Sequence, residues 1–350
     1  MNTISFAAQI LSCYLLLLLQ LQTTMASAAP VFTGVFDHGS HGVTLVKIDE
    51  APRCPSAKTK GAPPKPLLVA APCDAGEYPV VVFLHGYLAN NSFYSQLFEH
   101  VASHGFVVVG PQLYTISGPD TTDEINAAAA VINWLAGGGL AGGNLPPGVA
   151  ADSTKLTISG HSRGGKVAFA LSLNHANTSL PPIAALVAVD PVDGMAAGKQ
   201  TPPPILTYKP NSLHVASPAM VIGTGLGGLP RGRLFPPCAP PGVSHDDFYG
   251  ELSSSPARCH FVARDYGHTD MMDDVTPGVK GIATRAVCLS GAGGRRPMRR
   301  FVGGAMVAFV KRWVEGSPEL LEGIRRRPEM APVVLSVVEF SDEEAMAPNQ

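Results

Sequence analysis

The chain has 350 residues, with 25 Lys plus Arg against 27 Asp plus Glu, so it lacks the basic footprint that nucleic-acid binding requires. Its 45% hydrophobic content excludes general disorder, and its length accommodates one large α/β domain with a substantial core.

The N-terminus, MNTISFAAQILSCYLLLLLQLQTTMASAAP, carries an apolar run from Ile10 to Leu21 followed by Ala26-Ser27-Ala28, the pattern of a secretory h-region with an A-x-A cleavage site. No Lys or Arg precedes that run, and the Ser-rich, acid-poor composition also fits a plastid transit peptide. The run is shorter than the ~20 apolar residues of a membrane span. Residues 1–28 are therefore expected to be a cleaved targeting segment, 29–317 the single folded domain, and 318–350 a C-terminal extension whose structure the sequence leaves open. Cleavage would leave Cys54, Cys73, Cys238, Cys259 and Cys288. They contain no C-x-x-C pair, which argues against a zinc site of that kind, whereas one or two disulfides are compatible with an oxidising compartment. Cys259 lies inside an apparent strand and is expected to be buried.

Strands and helices then alternate. HGVTLVKIDE (41–50) and KPLLVAAPC (65–73) read as early strands. PVVVFLHGY (79–87) is a β-branched run ending in His-Gly, SFYSQLFEHVASHG (92–105) has helical period, and FVVVGPQL returns to strand. DTTDEINAAAAVINWLAGG (120–138) is a helix with an acidic first turn and a glycine stop. The strand KLTIS, a helix from Gly164 to about Asn174, and the strands IAALVAVD (183–190) and PAMVIGT (218–224) follow. A long Pro/Gly loop (225–243) leads to the strand CHFVA (259–263) and a last helix around MRRFVGGAMVAFVKRWVEG. This alternation predicts parallel βαβ units in a mostly parallel, doubly wound sheet with helices on both faces.

In that order Gly160-His161-Ser162-Arg163-Gly164 falls at a strand–turn–helix junction, where a G-x-S-x-G nucleophile elbow belongs. The glycines permit a sharp turn that projects the Ser162 hydroxyl, and the helix beginning at Arg163 favours negative charge beside it. The fold is thus expected to be that of an α/β-hydrolase, in which an acid and then a histidine follow the nucleophile at later strand ends. His268 fits, in CHFVARDYGHTDMMDD, better than His260 inside the strand, His214 before a strand, His175 at a helix end, or His245 in GVSHDDFYG. PAMVIGTGLGGLP holds no carboxylate, so the acid is sought one strand earlier, in ALVAVDPVDG. Asp190 stands at the strand end there; Asp193 reads as its rival or as a turn residue. The oxyanion hole is expected from the backbone N–H groups of Arg163 and Tyr87. His85 reads as a structural histidine bonded to backbone. Residues alone thus read as a serine ester hydrolase.

FLHGY, GHSRGGKVAFAL, VAVDPVDG and YGHTDMMDD, in this order, resemble plant chlorophyllase over roughly residues 35 to 315. The resemblance implies Ser162 as nucleophile, Asp190 as acid and His268 as base, cleaving the phytyl ester of chlorophyll to chlorophyllide and phytol with no cofactor or metal. It implies chlorophyll or a related phytyl ester as partner, peripheral contact with a membrane, no nucleic acid, and a chloroplast location; the apolar N-terminus keeps the secretory pathway open. A phytyl ester calls for an apolar mouth, and Leu234, Phe235, Phe248 and Tyr249 in the long loop are its candidate wall. The rival readings are another lipase or esterase, of the platelet-activating-factor-acetylhydrolase or polyester-hydrolase kind, and a non-catalytic binder of an apolar ligand.

Overall fold

The computed structural model describes residues 34–50, 61–253 and 256–341; the expected targeting segment and Cys54 lie outside them. Nine strands are described: β1 (Val43–Ile48), β2 (Leu67–Pro72), β3 (Gly76–Leu84), β4 (Val107–Pro111), β5 (Val149–His161), β6 (Ala185–Val189), β7 (Ala219–Thr224), β8 (Arg258–Ala263) and β9 (Leu335–Phe340). They form one sheet in the order β1-β2-β4-β3-β5-β6-β7-β8-β9. The run β4-β3-β5-β6-β7-β8 is parallel, as continuous β-branched runs covered on both faces predict, and antiparallel β1, β2 and β9 complete the two sides.

Each face buries its own core. On one, α1 (Ser95–Ala102), α6 (Arg295–Val314) and α7 (Glu319–Arg326) cover Phe83, Val108, Met220 and Phe261. On the other, α2 (Thr122–Ala136), α3 (Arg163–Ser172) and α4 (His245–Glu251) cover Val80, Val109, Ile158 and Val221. A further helix, α5 (Gly278–Val287), sits beyond the C-terminal end of β8. Strand order reverses between β3 and β5: the chain leaves β3 toward β4 on one side and continues from β5 toward β9 on the other. That reversal opens a crevice at the C-terminal ends of β3 and β5, where Gly86-Tyr87 and Ser162 lie.

Several elements depart from the sequence reading. β5 starts at Val149, because its polar first half pairs with Gly76–Pro79 of β3 and needs no apolar run. Residues 245–251, read as loop, are helical. Ser244 and Asp247 make a reciprocal capping box, a signal present in the sequence as Ser-x-x-Asp. The unplaced tail supplies α7 and β9: Leu321 and Ile324 pack into the core, and β9 runs antiparallel along β8.

Candidate active site

Ser162 has φ 57° and ψ −124°, a strained conformation for a residue with a side chain. The turn closes because its neighbours lack side chains. A Cβ on Gly160 would stand 2.3 Å from the Gly164 carbonyl oxygen, and one on Gly164 would stand 2.1 Å from that of Leu84. All ten residues of α3 are buried, as its small residues allow. The strain holds the Ser162 hydroxyl above the sheet at the first turn of that helix.

His268 reaches Ser162 from the loop after β8: its Nε2 lies 2.8 Å from the Ser162 Oγ. Its Nδ1 lies 2.7 Å from Oδ2 of Asp190 at the end of β6. Asp190 is fully buried, and the Thr224 hydroxyl at the end of β7 donates to the same Oδ2 at 2.6 Å. Burial opposes its charge, but the bonds from His268 and Thr224 and the nearby histidines hold its carboxyl down at about 2. The acid thus stays ionised where it can orient an imidazole and stabilise an imidazolium. Asp193 points elsewhere. It accepts the backbone N–H groups of Ile205 and Leu206, both at 2.9 Å, and pairs with the buried Lys166 ammonium at 2.9 Å. The rival His245 approaches Asp190 only to 4.0 Å, at the other carboxylate oxygen.

The loop after β3 is pressed onto the elbow. A Cβ on Gly86 would lie 3.1 Å from the Ser162 Cβ, so glycine lets the Tyr87 backbone approach the hydroxyl. Backbone N–H of Leu113 donates to His85 Nε2 at 3.1 Å, which leaves His85 Nδ1–H to donate to the Gly86 carbonyl at 3.0 Å. Both ring nitrogens are thereby engaged in the neutral form, and burial pushes the imidazole down to about 4. His85 is a structural histidine, as its sequence context indicates.

A second relay links the same loop to His268. The Gly86 N–H donates to the Tyr94 hydroxyl at 3.1 Å, and that hydroxyl donates to His161 Nδ1 at 2.8 Å. His161 Nε2–H donates to the His268 carbonyl at 2.7 Å. A carbonyl only accepts, so Nε2 carries a proton, and in the neutral ring Nδ1 is left to accept from Tyr94. Burial and the adjacent His268 push it down to about 3. Sequence reading assigned His161 no task. Nor did it assign one to Asp270, whose Oδ2 accepts the Gly267 and Gly291 N–H groups, each at 2.7 Å, and so shapes the turn that carries His268. The Arg163 side chain was missed too. Its Nε bonds Glu124 at 2.8 Å, and its Nη atoms hold the Gly118 and Asp120 carbonyls, fixing the loop after β4.

Two clefts meet at Ser162. The larger, about 330 Å³, runs past Tyr87, Arg163, Val192, Met195, Pro237 and Pro240. The smaller, about 130 Å³, lies beside His268 against Leu88, Met272, Thr284 and Val287. Tyr87, Ser162 and Cys238 border both, so an ester whose carbonyl sits at Ser162 can place its two halves in different clefts. Cys238 is disulfide-bonded to Cys288 at a Cα separation of 5.6 Å, which ties the 225–243 loop to the end of α5 across the smaller cleft. Cys259 is buried in β8.

The four wall candidates do not line these clefts. Phe248 is fully buried on α4 against Phe169, ring centroids 4.6 Å apart, because the helix that sequence reading took for loop turns it into the core. Tyr249 stacks on His260. Leu234 and Phe235 stand exposed on the loop, which reaches the cleft through Pro237, Cys238 and Pro240 instead.

The family model described as Chlorophyllase matches residues 31–342. Chlorophyllase-2 of Arabidopsis thaliana is 50% identical over 296 residues, which cover 83% of this chain and 92% of that protein. Chlorophyllase-1 of Arabidopsis thaliana is 41% identical over 310 residues, 88% of this chain and 94% of the relative. The Chlorophyllase-1 of Citrus unshiu named as chloroplastic is 40% identical over 314 residues, 89% and 90% of the two chains. With a matching family model over nearly all of its length and relatives this similar, the chain belongs to the chlorophyllase family.

Proposed function

We propose that this protein hydrolyses the phytyl ester of chlorophyll to chlorophyllide and phytol, with Ser162 as nucleophile, His268 as base and Asp190 as acid. The observation that carries the reading is the unbroken line from Ser162 Oγ through His268 to buried Asp190, in a chain of this family. His268 Nε2 takes the Ser162 proton as Oγ attacks the ester carbonyl carbon. The oxyanion that forms is stabilised by the Arg163 and Tyr87 N–H groups, each donor worth about 3 kcal/mol. His268 then returns its proton to the departing phytol oxygen, leaving the chlorophyllide acid esterified to Ser162. Water, deprotonated by His268, attacks that ester and frees the acid and the serine.

The same reading extends to where the enzyme meets its substrate. Large apolar side chains stand exposed on the loops around the crevice: Leu88 after β3, Ile116 after β4, Met195 after β6, Leu234 after β7, and Val279 and Ile282 on α5. Ile116 and Leu234 are 91% and 87% exposed. Such a rim is suited to peripheral contact with a lipid surface from which a phytyl tail enters the cleft. No helix of the described residues is long and apolar enough to cross a membrane. The named location of the Citrus relatives supports delivery to the chloroplast, which a fluorescent fusion of residues 1–33 tests against the secretory pathway.

The decisive assay incubates the purified chain with chlorophyll a and follows chlorophyllide by phase partition. Turnover that disappears in Ser162→Ala supports the reading. Hydrolysis of short p-nitrophenyl esters without any of chlorophyll would make the protein an esterase of another specificity. Replacing Ile116 and Leu234 with Ser should reduce sedimentation with lipid vesicles while leaving short-ester hydrolysis unchanged.

A further inference from the structure

We propose that His245, Asp246 and His260 form a binding site for a late first-row divalent cation, zinc or its chemical neighbours, directly behind Asp190. The two imidazoles come from different elements. His245 opens α4, one residue after its cap, and His260 lies within β8. Both are buried, whereas the Asp246 carboxylate faces solvent and leaves a route for an ion to enter.

Three ligand atoms converge there. His245 Nδ1 is 3.1 Å from His260 Nε2 and 3.2 Å from Asp246 Oδ1, and the remaining separation is 3.9 Å. Metal bonds of ~2.0–2.1 Å in tetrahedral array put neighbouring ligands about 3.3–3.4 Å apart, so the triangle already has the required size. The pocket is also cut to shape: Gly223 lies in β7, and a Cβ there would meet the His245 Nδ1 at 2.3 Å. A glycine inside a central strand weakens it, and here its lack of a side chain is what admits the imidazole. Two imidazoles and one carboxylate select Zn²⁺, Ni²⁺ or Cu²⁺ over Mg²⁺ and Ca²⁺, which prefer oxygen ligands.

The site has a consequence for the reaction. A cation on Nδ1 leaves the proton of His245 on Nε2, which stands 4.0 Å from Asp190 Oδ1, the oxygen that does not bond His268. At 4.0 Å this is a charge contact without a hydrogen bond: the cation-bound imidazole adds positive charge beside Asp190, which still holds His268. Its negative charge is drawn toward the metal side, and its support of the His268 imidazolium weakens. Occupancy therefore slows ester hydrolysis. This second part rests on the triad reading above, whereas the site does not.

The test uses the full chain freed of metal with EDTA. Titration with Zn²⁺ by calorimetry, and with Co²⁺ by its visible absorption, should show one ion bound, undisturbed by millimolar Mg²⁺. Asp246→Asn, at an exposed position, should weaken binding at least 10-fold, and His260→Gln at least about 100-fold. Zinc should lower short-ester turnover severalfold in the wild type, at the concentration that fills the site, and not in His260→Gln. No binding in the wild type, or binding unchanged in both variants, overturns the site. Binding that is lost in the variants but never alters wild-type turnover keeps the site and overturns its coupling to Asp190. An inactive chain that binds zinc as described would count against the triad reading alone.

Discussion

Around Ser162, the side formed by β3 and β5 is held by backbone contacts and buried hydrogen bonds, whereas the side formed by residues 225–243 is held by prolines and a disulfide. On the first side Gly160 and Gly164 sit where any Cβ would collide, one on Gly86 would be tight against His161 and Ser162, and His85, Tyr94 and His161 have every bond direction assigned. On the second, Pro237, Cys238 and Pro240 present surface to the cleft, and Cys238 is fastened to Cys288. The first construction fixes where the Ser162 hydroxyl and the His268 imidazole stand. The second sets only the shape and width of a space, which several sequences could fill.

If that division is right, substitutions on the rigid side should destroy chemistry, and substitutions on the other should change what binds. The largest effect is expected for Ser162→Ala, which should lower kcat by about 10⁶ with an unchanged melting temperature. Near-normal turnover in the folded variant would remove the elbow from the chemistry altogether.

Asp190→Asn should follow with a loss of about 10⁴, the scale of a wrongly held imidazole. Asp193→Asn sharpens the comparison, because it breaks a buried pair with Lys166 instead: a destabilisation of about 3–5 kcal/mol is expected, with much less loss of activity per folded molecule. Reversed effects on kcat at the two positions would overturn their separation.

The two aspartates also show what could be read in advance. The place of Asp190 was legible because the β7 strand end, PAMVIGTGLGGLP, carries no carboxylate and sends the search one strand earlier, where Asp190 stands at the strand end and Asp193 three residues on. Alternating apolar runs likewise made the parallel strands and their helices legible. What stayed hidden was set by tertiary partners. β9 needs β8 to make sense of an apolar patch, His161 shows its task only when Tyr94 and the His268 carbonyl are beside it, and Phe248 reads as a loop aromatic until Ser244 and Asp247 close a helix cap.

A third test addresses the rigid side through pH. His85 and His161 are held neutral in the fold, at about 4 and about 3, against about 6.5 when unfolded. Between those limits the unfolded chain binds more protons, so stability is complete above about pH 6.5 and is lost as pH falls. Each histidine contributes about 1.4 kcal/mol per pH unit, or a factor of about 10² per unit in the unfolding constant for the pair. Urea midpoints measured from pH 7 to pH 5 check this, and a flat profile would contradict the neutral relay. The smallest catalytic effect is expected on the other side. Cys288→Ser should cost about 2–4 kcal/mol of stability and raise KM for chlorophyll up to roughly tenfold, while kcat for a short ester changes little. An equal fall in kcat for both substrates would mean that the disulfide also holds His268.

The pairing of β9 along β8 bears on how the chain is made. The segment leading from β8 to His268 leaves the ribosome well before Leu335–Phe340, and until those residues arrive one side of β8 exposes unpaired backbone groups to any strand it meets. A nascent or translocating chain therefore holds Ser162 and His268 near an unfinished edge, where pairing with a second chain competes with folding. The last described strand to emerge is thus the one that covers the β8 edge and becomes the outer strand itself, and shortening the protein before Phe340 should show first as aggregation during synthesis and only later as lost turnover.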